Sequence, residues 1–125
     1  MRKEKVVIPI YFGELVLIQV KKLSSLNKKY NMDLKECHAA CVFDIVTKKG
    51  KLQYVVAFEK KTDDSIIDHE RIHLINKIFI DRQIKLDLVN DEPQAYLMGW
   101  LFKECKKFLD KKWCKRYRWV TIYIK

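Results

Sequence analysis

Residues 69 to 73 read His69-Glu70-Arg71-Ile72-His73, an H-E-x-x-H pattern. On a helix, side chains four residues apart lie one above the other. Both imidazoles then point the same way and can take neighbouring positions on one zinc ion. Glu70 sits beside them, with its carboxylate near the remaining metal position. This suits a zinc hydrolase, which needs nitrogen ligands and a base next to the water it activates. The chain has three histidines, and two are in this pattern. The plainer reading is a pair of surface histidines on an amphipathic helix.

A catalytic zinc takes three protein ligands and keeps one position open. Glu92 is the leading candidate for the third, with Asp91 as competitor. The stretch between His73 and Glu92 is long enough to finish one helix, turn, and begin an antiparallel one. In the first turn of that second helix a carboxylate also suits the macrodipole, so a capping role is the plainer reading of Glu92. Glu92, Ala95, Tyr96, Gly99 and Lys103 form one stripe at helical spacing. Small Ala95 and Gly99 would let the two helices approach, which would explain a helical glycine that otherwise costs about 1 kcal/mol. Tyr96 could hydrogen-bond to substrate or to a transition-state oxyanion, or simply pack in the core. Asp68, Asp81, Asp87 and Asp91 are candidates to accept a proton from the rear nitrogen of a ligating histidine.

The elements that must position these residues follow from periodicity. Thr62, Asp63, Asp64 and Ser65 offer caps for a helix over about residues 64–82. At 100° per residue, Ile67, Ile72, Leu74, Ile75, Ile78 and Phe79 fall on one side, with Arg71 a misfit among them. His69, Glu70, His73, Asn76 and Lys77 fall on the other. Ile66 and Ile80 bracket the histidines there, so that face is expected to be partly covered. Asn90 or Asp91 caps a second helix, with Pro93 in its first turn, running to about Lys112. Val6 to Val20 reads as two short strands or one broken near Gly13. Residues 21–36 read as a helix or surface connection. Cys41–Thr47 and Leu52–Phe58 around Gly50 read as a hairpin, and Trp119–Ile124 as a final strand. The expected fold class is α+β: a small antiparallel or mixed sheet packed on two main helices, one domain over residues 1–125.

The formal net charge is +10. Residues 103–125 carry nine basic side chains against Glu104 and Asp110, interleaved with Trp113, Tyr117, Trp119 and Tyr123. Basic and aromatic residues together can track a phosphate backbone and stack on bases, so this segment is a candidate for nucleic acid or an acidic partner. No signal peptide or spanning segment is legible, and the expected setting is cytoplasmic, with no membrane partner. Cys37, Cys41, Cys105 and Cys114 read as buried free thiols rather than disulfides or a metal finger.

His69-Glu70-x-x-His73 followed by Glu92-Pro93-Gln94-Ala95-Tyr96-Leu97-Met98-Gly99-Trp100 resembles the gluzincin class of zinc metallopeptidases. More closely, with Ile8-Pro9-Ile10-Tyr11-Phe12-Gly13 near the start, the chain is similar to small metallopeptidase-like proteins encoded in phages and prophages. The resemblance implies a minimal zincin-like domain, in the host cytoplasm if phage-encoded. It implies Zn2+ held by His69, His73 and Glu92, with Glu70 as general base in hydrolysis of a peptide or protein substrate. The rival expectations are a nucleic-acid-binding basic protein and a zinc site without turnover.

Overall fold

The computed structural model describes residues 1–34, 39–60 and 62–111. Four strands form one mixed sheet in the order β1-β2-β4-β3: β1 (Arg2–Val7), β2 (Glu14–Val20), β3 (Ala40–Val46) and β4 (Leu52–Glu59). β1–β2 and β3–β4 are antiparallel, and β2 runs parallel to β4, with Glu14 opposite Gln53 and Val20 opposite Glu59. The central strands are covered on both faces, which explains their unbroken apolar runs, Leu15–Ile18 and Tyr54–Phe58. Among the described residues β1 lies at an edge, and it alternates: Arg2, Glu4 and Val6 are half-buried, Lys3, Lys5 and Val7 exposed.

Three helices complete the described chain: a single turn, α1 (Asn27–Tyr30), and the two long helices α2 (Asp64–Asp81) and α3 (Glu92–Asp110). The long helices cover one sheet face, burying Leu15, Leu17, Tyr54, Val56 and Phe58 against Ile67, Leu74, Ile78, Leu97, Leu101 and Phe108. On the other face, the 3-10 turn Leu23–Leu26 packs Leu23 and Leu26 on Val16, Ile18, Val55 and Ala57, beside α1. The fold class is therefore α+β with two main helices, as expected. The predicted strand at Trp119–Ile124 lies outside the described residues.

The β1–β2 connection is a strained turn. Ile10 and Phe12 adopt φ of 71° and 61°, a region that a β-branched residue enters only when its surroundings enforce it. Arg82, just past α2, donates to the carbonyls of Tyr11 and Phe12, and the Ile8 N–H donates to Gly13 O at 3.1 Å. α2 begins at Asp63, whose carboxylate accepts from the Ser65 and Ile66 amides at 3.0 and 3.3 Å. α3 begins after Asp91, which makes no side-chain capping bond, with Pro93 in the first turn. The two helices run antiparallel. Lys106 near the end of α3 pairs with Asp64 at 2.9 Å, and Arg71 donates to Met98 O at 3.0 Å and lies 5.3 Å from the Phe102 ring.

Candidate functional site

His69 and His73 are exposed on α2, and their Nε2 atoms stand 3.1 Å apart, with the rings at 70°. Two nitrogens bound at 2.0–2.1 Å to one tetrahedral zinc are about 3.3 Å apart. The pair is therefore spaced as two ligands of a single ion need to be. The helix alone produces this, since i and i+4 side chains share one face. The partial cover expected for this face is not symmetrical: Ile66 is half-buried, whereas Ile80 is exposed.

Glu70 departs from the expected arc. Periodicity puts it on the solvent side with the histidines, but it is only 8% exposed, while Ile72, expected in the core, is 50% exposed. One residue is about 100° of helix, so Glu70 turns inward from His69 toward the flank of α2 that lies along β3. Cys41 on β3 registers it: burial first, then the Glu70 charge, push the Cys41 thiol up to about 11. Two turns further along α2, Lys77 donates to Asp44 of β3 at 3.2 Å. The base candidate thus lies between the histidine pair and an edge strand of the sheet.

Glu92 is not brought to the histidines. Arg71, two residues after His69 and two before His73, is the α2 side chain that packs on α3. Two residues rotate a helix by about 200°, so the side of α2 that meets α3 points nearly opposite to both imidazoles. α3 is also turned differently from the expectation. Its buried residues are Leu97, Leu101, Cys105 and Phe108, while Glu92, Ala95, Tyr96, Gly99 and Lys103 are all exposed. Tyr96 is 50% exposed and so is not packed in the core. A Cβ built on Gly99 would meet nothing within 4 Å among the described residues, so close helix approach is not the reason for this glycine. No group of three or more His, Cys, Asp or Glu side chains arranged to hold a metal occurs among the described residues.

Three of the four carboxylates considered for a supporting role are engaged elsewhere, while Asp91 makes no side-chain capping bond. Asp68 pairs with Arg71 at 2.9 Å, Asp81 accepts the Tyr54 hydroxyl at 2.5 Å, and Asp87 accepts the Val89 and Asn90 amides of its own loop. The Lys77–Asp44 link is not legible in the sequence, because it depends on which strand lies under α2. Arg71, out of place in an apolar arc, is the one legible trace of the α2–α3 interface. Compared with known proteins, the chain matches no protein-family model, no curated protein and no solved structure.

Proposed function

We propose that the chain is a zinc-dependent hydrolase of peptide bonds, with His69 and His73 as metal ligands and Glu70 as the base. The observation that carries this reading is the 3.1 Å approach of the two exposed Nε2 atoms, with a carboxylate one residue away. Zinc, when bound, polarises a carbonyl and acidifies water. The chain's own residues supply the rest. His69 and His73 would hold the ion through Nε2. Glu70 accepts a proton from the attacking water and returns it to the leaving amine. β3 pairs only with β4 among the described residues, which leaves its outer backbone groups to hold an extended peptide beside α2.

Glu92 stays the sequence's candidate for the third ligand, and the geometry does not support it: its helix meets the opposite flank of α2. The burial of Glu70, only 8% exposed, favours a second reading, a zinc site without turnover. Metal content separates the possibilities. The expected result is about one zinc per chain in wild type, lost in His73→Ala, with Glu70→Gln retaining zinc but losing peptidase activity. Zinc retained in Glu92→Ala would remove Glu92 from the ligand set. Zinc in wild type without any hydrolysis would select the non-catalytic reading, and no zinc on titration would end both.

A further inference from the structure

The alternation of β1 sorts its charges onto two faces. Arg2 and Glu4 turn toward the long helices, where Arg2 lies 4.6 Å from the Phe108 ring and Glu4 pairs with Lys111. Lys3 and Lys5 turn to the other face, in register with Ile18 and Val16 of the second core cluster. The segment covering that face brings further cations: Lys21 follows β2, and Lys28 and Lys29 are exposed on α1. Of these, Lys5 and Lys29 lie close enough to Lys3 for their charges to act on it. Partial burial, then Lys29, then Lys5 hold the Lys3 ammonium below its ordinary range.

Acids offset this group only in part: Glu59, at the end of β4, accepts from the Leu23 amide at 2.9 Å on this face, and Asp33 is exposed beyond α1. Residues 1–34 contain Glu4, Glu14 and Asp33. Glu4 is on the other face, and Glu14 accepts from Gln53 at 3.0 Å and pairs with Lys51 at 3.5 Å. Lysines on an edge strand discourage strand-to-strand aggregation, which accounts for Lys3 and Lys5. It does not account for Lys28 and Lys29, which sit on a separate element and add like-charge repulsion. Half-buried Tyr30, 5.1 Å from Phe43 and 5.4 Å from the Lys29 ammonium, places an aromatic ring beside the cations.

We propose that the α1 face, through Lys3, Lys5, Lys21, Lys28 and Lys29, is a binding surface for the phosphate backbone of nucleic acid. It lies across the sheet from the long helices, so binding here leaves the histidine pair accessible. The inference is independent of the hydrolase reading.

The test is fluorescence anisotropy with a labelled duplex DNA of about 20 base pairs, titrated from roughly 50 to 300 mM salt. Wild type should bind with log K falling linearly in log salt. The triple variant K3E/K5E/K29E should bind at least about tenfold more weakly, with a slope shallower by about 2.7, or roughly 0.9 for each phosphate no longer neutralised. The variant K48E/K49E/K85E, an equal charge change on other exposed loops, should keep the wild-type slope. K3Q/K5Q/K29Q replaces the first variant should that one fail to fold. The proposal is overturned by equal losses of affinity in both triples, by an unchanged slope in the first, or by no binding at the lowest salt. Polyglutamate competing as well as unlabelled DNA would also overturn it, assigning the face to acidic polypeptides.

Discussion

The position of Glu70 can be read from a thiol without any assay of activity. Cys41 and Cys105 are free, with burial as the first cause of pKa values pushed up to about 11 and about 12. The thiolate is the reactive form, so both should resist iodoacetamide at pH 8 in the folded protein and react fully in denaturant, as mapped by peptide mass spectrometry. The Glu70 charge is the second cause at Cys41. Glu70→Gln should therefore lower the Cys41 pKa while leaving it above the ordinary thiol value, and alkylation at pH 9 to 10 should quicken at Cys41 but not at Cys105. An unchanged rate at Cys41 would mean that Glu70 does not face the start of β3.

Two predictions belong to the helices as elements. Gly99 has helical backbone and open space at its Cβ position, so Gly99→Ala should stabilise the protein by roughly 0.5–1 kcal/mol, read as a shift in denaturant midpoint. Destabilisation would indicate a close neighbour at that position. At the start of α2, hydrogen bonds from the Ser65 hydroxyl, then from the Ile66 and Ser65 amides, hold the Asp63 carboxyl below its usual range. A depressed carboxyl adds stability above its unfolded pKa of about 3.9, and that contribution disappears as pH falls through the folded value. Asp63→Ala should lower the melting temperature by several degrees at pH 7, and the gap from wild type should close on acidification below about pH 4. A gap that persists at pH 2 would place the effect in packing rather than in the cap.

For the whole molecule, the sheet separates two chemistries. The histidine pair belongs to the layer of long helices, and the lysines of β1 and α1 belong to the opposite face. Zinc that binds only the folded state raises stability by about 2.7 kcal/mol at a hundredfold excess over Kd. Melting in zinc against melting in chelator should therefore show a clear upward shift in wild type and none in His73→Ala. Saturating duplex DNA should leave the zinc titration midpoint unmoved if the two faces act independently. A shifted midpoint would reveal coupling through the β-sheet.

The chain's local rules were sufficient for most of the elements and for half of the site. The cap at Asp63, the proline in the first turn of α3, the Gly50 hairpin, and the alternating and continuous strand patterns all act between near neighbours, and the described strands and long helices form where those patterns put them. The convergence of His69 and His73 is likewise local, because four residues of helix are enough to stack two side chains. What the sequence could not determine is rotation and partnership. Apolar residues run more than halfway round α2, so periodicity leaves open whether Ile72 or Glu70 turns inward, and only the competition between β3 on one flank and α3 on the other decides it. The same holds for Glu92, whose helix is rotated by the demand to bury Leu97, Leu101, Cys105 and Phe108 and so carries its acidic end away from the imidazoles. The parallel pairing of β2 with β4, and with it the gathering of Lys3, Lys5 and Lys29 on one face, joins segments far apart in the chain, and only tertiary packing could bring them together.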